Sequence, residues 1–447
     1  MKIKKFEATK VHGTLNINVS FNDQLTLLVG INGSGKTTVL NMVSWLISLR
    51  FGDLISIAFE SIYLSFSIEN KDFLLTVGRT QDRLVLSLVG DENLAIPIVV
   101  ALRHPEIEAQ GTESYTRALN HGLTPDEDER PLWDFLKQLP RITNITLERV
   151  MAIDDGESKY RTPWKMEREK ETPMERVNEI IRDIVSDMRI RIQHIDTQLT
   201  RDLLVSSFMP RNNLLQGDFV EDMGEFAKNI YSIERDLNSA LGDAQNNEGL
   251  ALYFQELRGA WDRFEKIPEH ELKNDFVYWK REMTRLRAVS QAFDRAKEKR
   301  GRVSNKWDKY IETLNDLFED SGKKVNLGKK SSQLTFSFLN ETSHAVGNKI
   351  VRVPQRNLDK LSSGERQLLI LLTYVAFPQK GSKTIIIDEP ELSLHIRWQE
   401  RFLNALIALA DKDLQIVIAT HSPAIVGRNK KDCVVMPRLY AGVDDVE

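Results

Sequence analysis

Hydrophobic and polar residues alternate in the first part of the chain, as they do in half-buried strands. The alternation predicts a hairpin of two strands at Lys2–Thr9 and Leu15–Phe21, followed by a short buried strand at Leu25–Val29. Apolar residues at helical spacing predict a helix over Thr38–Leu49, and three β-rich pieces over Glu60–Val89 predict an antiparallel meander. This part of the chain is therefore expected to form a β-rich α/β lobe.

The pattern changes in the middle of the chain, where apolar residues recur every three or four positions. These stripes run through most of the stretch from Pro173 to Asn315 and predict long amphipathic helices. The stretch from Arg103 to Trp133 is polar, contains Pro105 and Pro125, and is expected to be a mobile connection.

Strands return after the helical region. They are predicted at Gln333–Leu339, Lys349–Val353, Lys383–Ile387 and Gln415–Ala419, with a helix over Ile396–Ala410. We therefore expect a first α/β lobe over residues 1–162, a helical, coiled-coil-like insertion over 163–320 and a second α/β lobe over 321–447.

Composition narrows the class of protein but does not identify a partner. With 41% hydrophobic and 28% charged residues, the chain can bury a large core, so disorder is not its main state. The net charge of -4 argues against a nucleic-acid binder that works by bulk positive charge. A single cysteine and the lack of long apolar runs predict a soluble cytoplasmic protein without a membrane contact or a cysteine-based zinc site.

A glycine-rich segment between the third strand and the first helix carries the clearest chemistry. Residues 30–37, GINGSGKT, fit the pattern GxxxxGK[ST]. The glycines let backbone N–H groups turn toward phosphate, Lys36 would reach the β- and γ-phosphates of ATP, and the Thr37 hydroxyl would bind Mg²⁺. The predicted nucleotide contacts are Asn32, Gly33, Ser34, Gly35, Lys36, Thr37 and Thr38.

A second element supplies carboxylates. Residues 384–390, TIIIDEP, form an apolar strand that ends in Asp388 and Glu389. Asp388 would complete the Mg²⁺ site with Thr37, and Glu389 would polarise the attacking water. Strands that end in Asp-Glu are common, so this interpretation depends on the loop at Lys36.

Two further segments are candidate phosphate contacts because of their order along the chain relative to the first two elements. LSSGERQ, residues 361–367, precedes a predicted helix, and a Ser/Gly turn at a helix N-terminus can bind phosphate, although it also makes an ordinary helix cap. His421, in ATHSP, ends the last buried strand, where its ring could donate a hydrogen bond to the γ-phosphate or to the attacking water.

Together these segments resemble the motifs of ABC-type ATPases. LVGINGSGKTT, LSSGERQ, IIIDEPELSLH and IATHSP are similar to the Walker A, signature, Walker B with D-loop, and switch-histidine motifs, in that order. LSSGE and DEPELSLH are similar to the forms found in the branch that holds SMC, RecF and OLD proteins. Leu361 lies 325 positions after Lys36, far more than in transporter ATPases, so a transporter subunit is not expected.

The resemblance implies an ATP-hydrolysing enzyme with a P-loop ABC-ATPase head, in which a mixed sheet with flanking helices and an antiparallel β edge is interrupted by a long α-helical insertion. Lys36, Glu389 and His421 are the implied catalytic residues, and Thr37 and Asp388 the implied Mg²⁺ ligands.

The resemblance also implies a homodimer or a higher homo-oligomer. Two copies would pack head to tail, so that the P-loop of one and the signature of the other enclose each ATP. The implied signature contacts are Ser362, Ser363, Gly364 and Glu365, and the D-loop residues Ser393 and His395 would cross the interface. The glutamine-loop residue stays open, with Gln110 and Gln138 as candidates, and Arg149 is a further candidate for a γ-phosphate or interface contact.

The chain also resembles the stand-alone ATPase subunits of bacterial anti-phage systems such as PARIS and Septu. Since 26 residues follow His421, we do not expect the Toprim nuclease domain of OLD nucleases in this chain. The implied function is a sensor or scaffold that controls a separately encoded effector nuclease, with a phage protein as candidate trigger. The alternative is a RecF- or SMC-like ATPase of DNA repair or chromosome maintenance, and a third hypothesis is an adaptor whose ATPase is only structural.

One stretch of the insertion is a candidate DNA contact. Residues Lys280 to Lys306 include ten Lys or Arg and three acidic residues, a net charge of +7. Such a cluster could bind DNA or an acidic protein, but a solvated helical face is the simpler explanation.

Overall fold

The computed structural model describes residues 1–102, 112–146, 172–207, 234–235, 248–264, 273–327, 333–341, 344–346, 349–351, 353–379 and 381–436. The chain divides into two compact units. The first comprises Met1–Arg182 and Lys309–Glu447, and the second comprises Asp183–Asp308. None of the helices in the described residues is both long enough and apolar enough to cross a membrane.

A six-stranded antiparallel sheet forms one layer of the first unit. In spatial order its strands are β2 (Leu15–Ser20), β1 (Lys2–Val11), β4 (Ser61–Ile68), β5 (Lys71–Arg79), β6 (Arg83–Val89) and β7 (Ile98–Ala101). Burial alternates along these strands, because one face packs on the core and the other faces solvent. The predicted hairpin and meander are confirmed.

A five-stranded parallel sheet forms the second layer. Its order is β16 (Cys433–Val435), β3 (Leu25–Val29), β15 (Gln415–Thr420), β14 (Thr384–Asp388) and β8 (Ile142–Thr146). Every residue of β14 and β15 is buried, which explains their continuous apolar sequences. Helix α1 (Lys36–Ile47) packs on this sheet. The predicted buried strands are confirmed.

A buried amide joins the two sheets. The Gln415 Nε2 atom donates to the Ile3 carbonyl at 2.7 Å and to the Asn22 carbonyl at 2.8 Å, and its Oε1 accepts from the Ile3 N–H at 2.8 Å. Because both ends of this side chain are satisfied, its burial costs little, and it fixes the first strand of the chain to β15.

The predicted mobile connection over Arg103–Trp133 is wrong where the structure describes it. Helix α2 (Phe51–Ile55) is followed later in the chain by α3 (Thr112–His121) and α4 (Arg130–Gln138). The sequences of α3 and α4 are short and mostly polar, so composition concealed their apolar contacts. The residues that they bury in the core are Leu119, Leu132, Trp133 and Leu136.

Long helices make up the insertion, as predicted: α5 (Pro173–Ser207), α6 (Glu248–Phe264) and α7 (Lys273–Phe318). Within the second unit, α5 and α7 pack through a small apolar cluster that includes Leu199 and Phe293. Arg300 on α7 forms an ion pair with Asp196 on α5 beside that cluster. The predicted boundary at residue 163 lies outside the described residues, and the three-part division stays a prediction.

Short strands then return the chain to the first unit. β9 (Lys323–Leu327), β10 (Leu334–Phe338) and β13 (Arg356–Asn357) form a three-stranded sheet, and β11 (His344–Val346) pairs with β12 (Lys349–Val351). Helix α8 (Ser363–Ala376) follows and is buried along most of its length. Helices α9 (Ile396–Leu409) and α10 (Pro423–Val426) complete the unit.

Candidate ATP-binding site

Three segments that are far apart in sequence meet at one edge of the parallel sheet. Val29 pairs with Thr420, and Ala419 pairs with Asp388, so β3, β15 and β14 end side by side. The P-loop, residues 30–37, follows β3. Asp388 is the last residue of β14, and Glu389 comes directly after it. His421 comes directly after β15. The carboxyl edge of a parallel sheet is where α/β proteins bind ligands, and here it carries the predicted nucleotide-binding residues.

The P-loop turns sharply before it enters α1. Gly33 and Gly35 have φ angles of 80° and 88°, a left-handed conformation that favours glycine. A Cβ at Gly35 would also lie 3.0 Å from Leu15 Cδ2, so the loop packs closely on β2. The loop therefore presents the N-terminus of α1, with its free N–H groups, at the sheet edge.

Lys36 lies at the centre of this loop. Its side chain is almost fully buried, and its Nζ donates to the carbonyls of Gly30 at 3.1 Å and Ile31 at 3.2 Å. Burial lowers the pKa of Lys36, and the carboxylates of Glu389 and Asp388 oppose that shift. The ammonium group is thus a buried cation close to the carboxylates of the sheet edge.

Asp388 and Thr37 face each other across the loop. Asp388 is buried, its side chain is hydrogen-bonded to Thr37, and its Oδ1 atom has no hydrogen-bond partner. Burial raises the pKa of Asp388, and the nearby charges of Glu389 and Glu391 raise it further. A hydroxyl and an unsatisfied carboxylate oxygen are ligands that suit Mg²⁺, so this pair fits the predicted metal role.

Glu389 adopts a strained backbone conformation next to Asp388. Its φ of 48° and ψ of 54° are left-handed, which costs a residue with a Cβ about 1–3 kcal/mol. A hydrogen bond of 2.9 Å from its backbone N–H to the Ala419 carbonyl holds it there. This backbone conformation directs the partly exposed carboxylate of Glu389 toward His421.

His421 connects the two charged groups. Its Nδ1 lies 3.5 Å from Lys36 Nζ, and its Nε2 lies 3.4 Å from Glu389 Oε1. A neutral ring that accepts at Nδ1 and donates at Nε2 satisfies both neighbours. The structure therefore brings together Lys36, Asp388, Glu389 and His421, as the motifs predicted.

The signature residues form a separate group. Ser362 caps α8 by accepting from the Glu365 N–H, and the Glu365 carboxylate accepts from the Ser362 N–H in return. Gly364 packs so closely that a Cβ would lie 2.4 Å from the Ser393 carbonyl. Ser362 and Ser363 are exposed, whereas Gly364 and Glu365 are buried inside their own protomer.

A buried ion pair holds this cap in place. Lys323 Nζ lies 2.8 and 2.7 Å from the two carboxylate oxygens of Glu365, which is 2% exposed. Burial alone would raise the pKa of Glu365, but the bonds from Lys323 and from the Ser362 N–H outweigh it, so the pKa lies below its ordinary value. The resemblance predicts Glu365 as a nucleotide contact, and no sequence pattern indicates Lys323.

The D-loop and the glutamine-loop candidates lie in different places. Ser393 and His395 are exposed next to the signature helix, and His395 caps α9. Gln138 is exposed at the end of α4, before the start of β8, which is the opposite end of that strand from Asp388. It is therefore not positioned to reach a γ-phosphate, and Gln110 and Arg149 lie outside the described residues.

Comparison with known proteins decides the family. Residues 1–426 match the family model described as AAA ATPase domain. The chain belongs to the AAA ATPase domain family. This membership and the sheet topology confirm the predicted α/β P-loop fold and the prediction of an ATP-hydrolysing enzyme.

Individual relatives match this AAA ATPase only in part. It is 37% identical over 83 residues to an OLD nuclease of Thermus scotoductus, a match that covers 18% of this chain and 16% of that protein. It is 24% identical over 249 residues to the Retron Ec83 probable ATPase of Escherichia coli, covering 44% of each. The chain thus spans less than half the length of these relatives.

Among solved structures, the AAA ATPase is similar to the Smc head domain with an extended coiled coil, bound to the C-terminal domain of ScpA, from Pyrococcus furiosus. The match has 13% sequence identity and a TM-score of 0.38, and it covers 98% of this chain and 94% of that chain.

Proposed function

We propose that this AAA ATPase is the ATP-dependent control subunit of an anti-phage defence complex, and that head-to-tail assembly around MgATP regulates a separately encoded effector nuclease. One observation carries the proposal: the sheet edge brings Lys36, Asp388, Glu389 and His421 together, while the signature serines Ser362 and Ser363 are exposed at the start of α8. The partial similarity to an OLD nuclease and a retron ATPase supports the role in defence.

In this proposal the P-loop binds the triphosphate. Backbone N–H groups at the start of α1 face the phosphates, and Lys36 exchanges its two carbonyl contacts for the β- and γ-phosphate oxygens. Thr37 and Asp388 would hold Mg²⁺. When bound, the ion supplies positive charge that neutralises the phosphate oxygens.

Glu389 and His421 would serve the hydrolytic step. Glu389, turned out of the sheet by its strained backbone, accepts a proton from the attacking water. The His421 ring, within 3.4 Å of that carboxylate, donates from Nε2 and holds the carboxylate and the water in line. Lys36 offsets the charge that develops on the γ-phosphate.

A second copy would complete the site. Ser362 and Ser363 present the N-terminus of α8 to solvent, which suits the γ-phosphate of a facing protomer. Large apolar side chains are exposed on the P-loop and around the D-loop: Ile31 is 57% exposed, Leu392 67% and Ile396 53%. Exposed apolar residues of this kind favour burial in an interface.

The assembly is tested by trapping it. Glu389→Gln should bind MgATP normally, slow hydrolysis by about 100-fold or more, and sediment as a dimer or larger in MgATP. Its matched control is Glu400→Gln, an exposed glutamate on α9. A Glu389→Gln protein that hydrolyses ATP at the parental rate would remove the assignment.

The defence role is tested by plating phage on cells that express the chain together with its neighbouring genes. Parental protein should lower plaque counts, and Lys36→Ala should not. Equal plaque counts with both proteins would contradict the role in defence while leaving the ATPase chemistry intact.

A DNA-repair or chromosome-maintenance ATPase is the second candidate, because α7 exposes Arg295, Lys297 and Lys299. Two other cations of this stretch are already paired, Arg300 with Asp196 and Arg302 with Glu298, so the free positive charge is smaller than the sequence suggested. Hydrolysis stimulated by duplex DNA without any partner, and lost on reversing the charge of Arg295 and Lys299, would favour this candidate.

A further inference from the structure

Glu391 connects the turn after the catalytic carboxylates to the strand end that carries His421. Its Oε1 atom accepts from the His421 backbone N–H at 2.6 Å. Its Oε2 atom is buried and has no hydrogen-bond partner. Glu391 lies in the 3-10 turn Pro390–Ser393, two residues after Glu389. This short turn therefore directly follows Glu389 in the chain and is also hydrogen-bonded to His421.

A bond to the backbone of His421 sets the position of its ring. The ring lies between Lys36 and Glu389, at 3.5 and 3.4 Å, and both distances depend on the orientation of the peptide from which it projects. A charged acceptor makes a stronger hydrogen bond than a neutral one. The Glu391 carboxylate therefore restrains the backbone where a small displacement would move the ring off Glu389.

A second bridge connects the same two segments. Gln399 Nε2 donates to the carbonyl of Leu394 at 2.8 Å, and the Ser422 hydroxyl donates to Gln399 Oε1 at 2.6 Å. The turn over 390–394 is thus joined to both His421 and Ser422. This turn exposes Leu392 and Ser393, so a molecule that presses on it would act on a segment bonded directly to His421.

We propose that Glu391 is a positioning residue for ATP hydrolysis, which acts through its acceptor oxygen on the His421 backbone and links the exposed turn 390–394 to the His421 ring. The inference rests on the role of His421 in the proposed function. It assigns to Glu391 neither a proton transfer nor a metal contact.

A competing explanation is that only the charge of Glu391 matters. Its negative charge raises the pKa of both Asp388 and Lys36, although it is a smaller cause than burial in each case. Glu391→Gln separates the two explanations, because glutamine keeps an acceptor oxygen for the His421 N–H and removes the charge. Glu391→Met keeps the length of the side chain and removes the acceptor.

The experiment measures MgATP affinity and single-turnover hydrolysis for the full chain. Glu391→Met should slow hydrolysis by about tenfold or more with little change in affinity, because a charge-assisted bond is lost away from the phosphates. Glu391→Gln should retain most of the parental rate. Hydrogen exchange of peptides that contain the His421 amide should accelerate in Glu391→Met and stay protected in Glu391→Gln.

A double-mutant cycle with His421→Ala tests whether Glu391 acts through His421. The double variant His421→Ala/Glu391→Met should be no slower than His421→Ala alone. If both Glu391 variants are equally slow, or if the double variant is much slower than His421→Ala, the positioning role is wrong. If His421→Ala hydrolyses ATP at the parental rate, the proposed role of His421 fails, and the inference fails with it.

The melting temperature of each variant checks that it is folded. If Glu391→Met is unstable, the hydrolysis rate of Glu391→Gln and the hydrogen exchange of its His421 amide still test the inference. Slow hydrolysis with the amide still protected would overturn the inference, and a retained rate with protection would support it.

Discussion

The sheet edge around Lys36 differs from the signature cap, formed by Ser362 and Glu365 at the start of α8, in how its charged groups are paired. Both present a helix N-terminus to solvent, at α1 and at α8. At the sheet edge the charged groups face one another with their hydrogen-bonding capacity incompletely used, as at Asp388 Oδ1. At the cap the buried carboxylate of Glu365 is fully engaged by Lys323. In the proposed assembly, the sheet edge therefore accepts the ligand, and the cap stays rigid against the ligand of the facing protomer.

The largest effect should come from removing the cation of the sheet edge. Lys36→Ala should weaken MgATP binding by about 100-fold or more and abolish measurable hydrolysis, because no other described side chain of the P-loop carries positive charge. Equilibrium binding of a fluorescent ATP analogue measures this. Lys412→Ala, at an exposed loop position, is the control, and an unchanged affinity in Lys36→Ala would contradict the assignment.

The signature cap should behave in the opposite way. Ser363 is exposed and does not make the capping bond, so Ser363→Arg should leave the fold and MgATP affinity intact. It should slow hydrolysis by about 10- to 100-fold by placing bulk and charge in the interface. Thr197→Arg, at an exposed position of α5, is the control. A large loss of affinity in Ser363→Arg would mean that the cap belongs to the same half-site as Lys36.

Rigidity of the cap should depend on pH through Glu365. Because the folded-state pKa of Glu365 is lowered, its stabilisation is present above its unfolded pKa of about 4.3 and disappears as the pH falls through the folded value. Glu365→Gln should lower the melting temperature by about 4–8 °C at pH 7, because Lys323 loses its partner. The difference from the parental protein should shrink below about pH 4.

The matched control for Glu365 is Glu60→Gln, which breaks the exposed ion pair with Lys10. That change should shift the melting temperature by less than about 1 °C. Equal shifts in the two variants would show that the buried pair is not what holds the cap.

Asp388 should give the smallest change in stability, and in the opposite direction. Its folded-state pKa is raised, so the ionised carboxylate costs stability at neutral pH, and the cost fades as the pH falls toward its ordinary value. Asp388→Asn should raise the melting temperature of the nucleotide-free protein by about 1–3 °C while hydrolysis is lost. A lower melting temperature would indicate that the carboxylate is stabilising in the free protein.

Local patterns were sufficient to predict much of this molecule. The P-loop, the strands before Asp388 and His421, and the long helices follow from apolar spacing and turn residues. Their meeting at one edge followed from the rule for parallel strands, because β14 ends at Asp388 and because β3 and β15 lead directly into the P-loop and His421.

The remaining features depend on contacts between distant residues. Lys323 and Glu365 are 42 positions apart, and neither has a local pattern that predicts the other. Glu391 and His421 are 30 positions apart, and their bond uses a backbone N–H that no sequence pattern marks. Helices α3 and α4 were missed because tertiary packing of a few apolar residues, Leu119 and Trp133 among them, outweighs a polar composition.

The most direct test of the two half-sites is complementation between inactive variants. Lys36→Ala carries an intact cap and a broken sheet edge, and Ser363→Arg carries the reverse. In a mixed dimer, the P-loop of the Ser363→Arg protomer would face the intact cap of the Lys36→Ala protomer. Mixing the two proteins should restore hydrolysis to as much as about a quarter of the parental rate, since half of the dimers are mixed and each has one sound site. A mixture no more active than the sum of its separate components would contradict a site shared between two protomers.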